Sequence, residues 1–288
     1  MARLAGLPMY AIKATRDATD RLWQGLARAF RAAGLEDVPD RLERTLAADR
    51  LWRHPDLLLA QTCGYPFTHA LAGRVRLVAT PCYRAPGCDG PSYASLIVVR
   101  ADDPGPDLVA LSARGRVAIN DPASHSGHHA LKAALAAQGV IGRAFRATVI
   151  TGSHLASIEA VGSGRAEVAA IDGVIFGLLQ RHAPERLEGL RVIGTTPSAP
   201  GLPLITARAT TERDLERLRD GLTAALADPA LEPARDALLL EGVEVLPVEA
   251  YARILEIERL GRPVALPKPD RPGRSVEARE ICKPGFKH

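Results

Sequence analysis

Residues 121–135 read DPASHSGHHALKAAL. Asp121, Pro122, Ser124 and Ser126 stand ahead of a good helical stretch. Ser ahead of a helix is a cap former, and Gly127 lets a backbone approach closely. The N–H groups of a first helical turn have no partner within the helix, and the helix dipole adds positive character there. Two hydroxyls beside such an end make a cradle for a phosphate or phosphonate without Lys or Arg. The competing reading is a plain helix cap. Residues 151–172 read TGSHLASIEAVGSGRAEVAAID. Ser153 is placed to cap a helix, which puts His154 in the first turn. There the positive end disfavours protonation and suits a donor to an anionic oxygen. Asp172 ends a strand of small apolar residues, where α/β sheets face their ligand crevice. Its carboxylate either meets an amine or hydroxyl or caps the next helix.

Two further segments bring polar side chains to strand ends. In LLLAQTCGYPFTHAL, residues 57–71, Gln61, Thr62 and Tyr65 follow an apolar run and meet a turn at Gly64 and Pro66. In TPCYRAPGCDGPSYASLIVVR, residues 80–100, Tyr83, Tyr93 and Ser95 surround a Gly/Pro loop that enters a strand.

The elements that position these residues alternate in type. Apolar runs at 4–10, 57–60, 75–80, 94–100, 117–120, 147–151, 166–172, 190–195 and 204–207 predict strands. Helical spacing predicts helices over 17–33, 126–138, 153–161, 173–182 and 211–227, the last capped by Thr211 with Asp214 three residues on. This alternation predicts an α/β protein with mixed, mostly parallel sheets. Pro/Gly breaks at 100–106 and 196–203 enclose about 100 residues, enough for one domain. The expected organisation is two lobes joined by a two-crossing hinge: lobe one over 1–100 plus 204–262, lobe two over 101–203. Residues 263–288, rich in Pro and charge, are expected to form a basic, poorly packed tail, with Cys282 in it as a free thiol.

Composition narrows the function. The chain has 288 residues and a net charge of +4, with 47% hydrophobic and 24% charged residues. These values suit a globular protein and exclude a disordered chain, a collagen or a coiled coil. No basic run stands alone and aromatic residues are 4%, so nucleic acid is not an expected partner. No run reaches the ~18 apolar residues of a membrane helix. The opening residues carry no signal peptide, which by itself implies a soluble protein that enters no export route. Cys63, Cys82, Cys88 and Cys282 are too few for a disulfide scaffold and lack paired CxxC spacing for zinc. Pairing of Cys63 with Cys88, of Cys82 with Cys88, or no bond all remain open.

The segments LPMY, QTCGYPF, GCDGPSYAS with VVR after it, NDPASHSG and TGSHLASIEAVGSGRAEVAAID stand in this order. Together they resemble the phosphate/phosphite/phosphonate substrate-binding proteins of ABC transporters, over roughly residues 4–210. The resemblance implies a type 2 periplasmic-binding-protein fold, a ligand in the cleft between two α/β lobes, a permease partner, the periplasm, no cofactor and no catalysis. By match, Ser124, Ser126 and Gly127 resemble the family's anion cradle and His154 a second-lobe contact to the oxyanion. Asp172 resembles the carboxylate that meets the amine in amino-phosphonate binders. Tyr10, Tyr65 and Tyr93 resemble first-lobe contacts, and Gln61 and Ser95 complete the expected ligand-binding set. A monomer is expected. The chain departs from the pattern at His125, which interrupts three consecutive hydroxyl residues, and in the absent export signal, which implies the cytoplasm if the start is as written.

Three rivals stand beside this reading. A cofactor-building enzyme on the same fold needs a nucleophile or acid–base pair, for which His154 with Asp172 and Cys63 with His69 are the candidates. A metal receptor draws on His125, His128 and His129, which crowd one turn but lack an acidic or Cys partner nearby. A cytoplasmic small-ligand sensor is the third.

Overall fold

The computed structural model describes residues 3–105 and 107–268. Two five-stranded mixed sheets organise the chain. The first runs Leu4–Gly6, Leu57–Gln61, Leu204–Ala207, Val75–Tyr83, Leu240–Glu244. The second runs Leu190–Thr195, Ser95–Arg100, Val168–Asp172, Arg116–Ile119, Ala147–Ile150. The strands Leu57–Gln61 and Val168–Asp172 are buried at every residue, which is why they read as unbroken apolar runs.

Helices cover both faces. On the first sheet, helix Arg16–Ala32 buries Leu22, Trp23, Leu26 and Phe30 in one core with Leu215, Leu218 and Leu222 of helix Glu212–Ala227. The Asp214 amide donates to the Thr211 hydroxyl at 3.1 Å, so that cap forms as its sequence implies. On the second sheet, successive strand residues point to opposite faces. Val98, Ala169 and Ile171 pack with Ile158, Val161 and Leu178. Ile97, Val99, Val168 and Ala170 pack with Leu108, Leu111, Leu131 and Leu135.

The sheets are mixed as expected, but parallel pairing does not predominate. Ser95–Arg100 is antiparallel to both of its neighbours, and so is Leu204–Ala207. Parallel pairs join Leu4–Gly6 to Leu57–Gln61 and Arg116–Ile119 to Val168–Asp172 and Ala147–Ile150. The reason is topological. Ser95–Arg100 and Leu204–Ala207 each begin where the chain has just changed sheets, so each runs away from the cleft while its neighbours run toward it; Leu240–Glu244, antiparallel to Val75–Tyr83, lies at the edge of the first sheet. Asp172, the end of one strand, is therefore opposite Ser95, the start of the next, and Gln61 is opposite Leu204.

The point of crossing also differs. Ser95–Arg100 is bonded into the second sheet, so the chain changes sheets before residue 95 and not at 100–106. The strand ends at Arg100, shortly before Pro104 and Gly105, and Pro and Gly break a strand there as readily as at a hinge. The outgoing and returning segments meet in a small antiparallel sheet, Ala199–Pro200, Ser92–Tyr93, Cys88–Asp89, with Ala199 opposite Tyr93.

The last segment crosses again. Helix Ala252–Gly261 packs Ile254 and Ile257 with Ala130 and Ala133, and Val264–Ala265 pairs in parallel with Gly142–Arg143. Residues 252–262 thus contact a helix of lobe two as well as lobe one. Val264 is buried, so the expected tail begins packed. The rest of it, 269–288 with Cys282, lies outside the described residues. Among the described residues no helix is long and apolar enough to cross a membrane.

Candidate functional site

A cavity of about 480 Å³ opens between the lobes where strand ends meet. Tyr10 enters from a turn after the first strand, which stops at Gly6 because Pro8 removes a backbone donor. Asn120, one residue beyond strand Arg116–Ile119, and Asp172, the last residue of strand Val168–Asp172, enter from the second sheet. Ser124, Ser126 and His154 come from two helix starts.

Each start is capped as its sequence implies. The Ser124 hydroxyl accepts from the Gly127 amide at 3.1 Å, and the Ser153 hydroxyl from the Ala156 amide at 3.1 Å. The first turn of the helix expected over 126–138 is wound as a π-turn, His125–His129, before the α-helix Ala130–Ala137. Wider winding of this kind recurs at functional sites.

The two starts meet over one point. The Ser126 hydroxyl and His154 Nε2 are 2.9 Å apart, and the Asn120 amide nitrogen lies 3.5 Å from the same Nε2. Asn120 Oδ1 is buried without a partner. Burial pushes His154 down to about 4, so it is neutral at pH 7. Burial also pushes Asp172 up to about 7, against bonds from the Val174 amide (2.9 Å), the Ile175 amide (3.4 Å) and the Tyr10 hydroxyl (3.3 Å). The Lys and Arg side chains lining the cavity reduce to Arg53, 3.8 Å from Asp49. An anion here meets hydroxyl, amide and imidazole dipoles rather than a field of cations.

Of the expected ligand-binding residues, Tyr10, Ser124, Ser126, His154 and Asp172 line this cavity together. Gly127 stands behind them, and a Cβ on it would lie 2.0 Å from Asn120 Oδ1. Ser95 is buried and donates to the Ser126 carbonyl at 3.0 Å, so it holds the cradle from beneath. Gln61 donates to the Tyr83 hydroxyl and to the Leu202 carbonyl, both at 3.2 Å. The Tyr65 ring is stacked between His69 (3.8 Å) and His129 (4.3 Å). Tyr93 is buried beside His125, ring centres 6.2 Å apart. Gln61, Tyr65, Tyr93, Ser95 and Gly127 are not in the cavity wall.

Asn120, Trp52, Arg53 and Cys63 line the cavity without having been singled out as ligand contacts. Asn120 was legible as the first letter of NDPASHSG, directly after a strand. Trp52 and Arg53 come from a short helix, Ala48–Trp52, and its end, which carry no local signal of a site.

The rival chemistries find little support here. His69 bonds Glu258 at 3.0 Å and the Tyr65 carbonyl at 3.0 Å, and burial pushes the Cys63 thiol up. Asp172 is bonded to Tyr10 and two amides, and His154 to Ser126. His128 and His129 both bond the Pro122 carbonyl. Among the described residues no three His, Cys, Asp or Glu side chains are grouped to hold a metal. Cys63, Cys82 and Cys88 are all free thiols.

The family model "ABC transporter, phosphonate, periplasmic substrate-binding protein" matches residues 40–251. This chain belongs to that family. No curated protein matches it. Solved structures of similar fold include the binding component of an ABC phosphonate transporter from Pseudomonas aeruginosa, at 18% identity and TM-score 0.71, covering 91% of this chain and 86% of that one. PhnD1 from Prochlorococcus marinus, in complex with methylphosphonate, is similar at 17% identity and TM-score 0.69, over 90% of this chain and 97% of that one. A Xanthomonas citri protein solved with ATP is similar at 18% identity and TM-score 0.65, over 91% and 97%. The two-lobed fold of these binding proteins is the fold of this substrate-binding protein.

Proposed function

We propose that this chain captures a small tetrahedral oxyanion, of the phosphonate, phosphite or phosphate class, between its lobes. It then releases the ligand unchanged to the permease of an ABC importer, on the periplasmic side. The Ser126–His154 contact carries this reading: two helix starts converge with hydroxyl, imidazole and the Asn120 amide on one point. Dipoles fixed in this way bind a dianion without the strong, slow-to-release pairing of buried cations. Asp172 faces the same hollow and suits an amine on the ligand's organic part. The Tyr10–Asp172 bond joins one lobe to the other, a contact suited to a clamp that closes over its ligand. Nothing in this scheme needs a nucleophile, so no chemistry is assigned.

A melting screen tests it, with phosphate, phosphite, methylphosphonate, 2-aminoethylphosphonate, sulfate and zinc. A ligand at 100 times its Kd stabilises the folded state by about 2.7 kcal/mol, a rise of several degrees. Phosphorus NMR of the recovered ligand must show it unaltered. A rise with zinc alone, or no rise with any phosphorus oxyanion, overturns the reading.

A further inference from the structure

A second cavity, of about 60 Å³, lies within the first lobe and reaches helix Gly173–His182 of the second through Leu178. Its wall is mostly aliphatic, with Leu22, Leu26, Leu222, Leu240 and Val243 among the residues that line it. Among the described residues, Tyr10 alone lines both this cavity and the polar cleft. Its ring meets the Tyr83 ring edge-on at 5.2 Å, and Tyr83 is held in turn by Gln61.

The polar groups in this wall are already paired. Gln61 donates to Tyr83 and to the Leu202 carbonyl, Thr19 to the Thr15 carbonyl at 2.9 Å, and Tyr10 to Asp172. The space equals about two waters. A water here would need two to four hydrogen-bond partners, and such a wall offers few. An apolar occupant forfeits nothing by that lack. The partition is weakly fastened as well, because the Tyr10–Asp172 bond is long at 3.3 Å.

We propose that the Tyr10 ring is a movable partition and that the aliphatic chamber takes the hydrocarbon chain of the ligand. The ligand class is then an unbranched alkylphosphonate, its oxyanion at Ser126 and His154 and its chain passing Tyr10. This rests on the oxyanion reading of the cleft.

Titration calorimetry with methyl-, propyl- and pentylphosphonate tests the chamber. Each methylene placed in it lowers Kd about three- to fourfold, on the order of 10-fold for the two or so that about 60 Å³ holds, so propyl- and pentylphosphonate bind more tightly than methylphosphonate. Leu222→Phe, which fills the chamber, abolishes this gain and leaves the methylphosphonate Kd of the folded variant within about twofold. Should that variant fail to fold, the wild-type series decides alone. Methylphosphonate binding with a flat or weakening series overturns the chamber and leaves the oxyanion reading standing. A gain that persists in a folded Leu222→Phe protein also overturns it, since the chain then lies elsewhere. Failure of every phosphonate to bind overturns both.

Discussion

The hydroxyl of Ser126 stands 2.9 Å from Nε2 of His154, although 28 residues separate them in the chain. Ser126 is in the first turn after one strand and His154 in the first turn after another. Parallel strands Arg116–Ile119 and Ala147–Ile150 are direct neighbours, so both following turns emerge at the same sheet edge. The contact is thus a product of strand pairing.

Ser126→Ala removes one donor to the oxyanion. A hydrogen bond to a charged group contributes about 1.5–3 kcal/mol, so affinity for methylphosphonate falls roughly 10- to 100-fold. The melting shift with that ligand shrinks accordingly, while the ligand-free melting temperature changes little. An undiminished shift removes the hydroxyl from the site.

Asp172 imposes a pH dependence whose sign is fixed by burial. An unfolded Asp ionises near about 3.9, and the folded carboxyl is pushed up to about 7. Between these values the folded state holds more protons, so stability falls as pH rises through that window and levels off above it. Asp172→Asn flattens this slope in melts from about pH 4 to 8. The same variant weakens 2-aminoethylphosphonate more than phosphate. Equal losses for the two ligands would make Asp172 purely structural.

Two glycines separate site geometry from stability. A Cβ at Gly173 would lie 2.2 Å from the Pro86 carbonyl oxygen and 2.8 Å from that of Ala94. Backbone has no room to yield there, so Gly173→Ala lowers stability by about 1–3 kcal/mol or more. At Gly127 the obstacle is the Asn120 side-chain amide, which can rotate. Gly127→Ala therefore costs less stability and more affinity, because Asn120 leaves His154. Chemical denaturation and calorimetry on both variants read the split.

Tyr65 stacks between His69 and His129 and lies outside the cavity wall. Tyr65→Leu loses two aromatic pairs, each about 0.5–1.5 kcal/mol, and lowers the unfolding midpoint. Ligand affinity stays within about threefold. A tenfold loss of affinity instead would place Tyr65 in contact with the ligand.

Much of the fold was open to reading because alternation of apolar runs and helical spacing is local. The caps at Ser124, Ser153 and Thr211 follow from one residue type at one position. Strand Leu240–Glu244 carries few apolar residues, and helix Ala252–Gly261 spreads its apolar residues over buried and exposed faces, with Ile254 and Ile257 buried and Leu255 and Leu260 exposed, so neither stands out locally. The same holds within the site. Tyr65, Tyr93 and Gln61 stand at strand ends or loops like Tyr10, yet their side chains are taken up by His69 and His129, by burial next to His125, and by Tyr83.

The amino-acid order by itself determined where the capped helices begin and where most of the buried strands lie, and so placed hydroxyls, an imidazole and a carboxylate at strand and helix ends. That information is carried by dihedral preference and capping, which act over a few residues. Only the tertiary structure decided strand direction after each crossing, the contact of Ser126 with His154, and which tyrosine faces the cleft. Those depend on pairing between segments dozens of residues apart, where burial and register, not local preference, set the outcome.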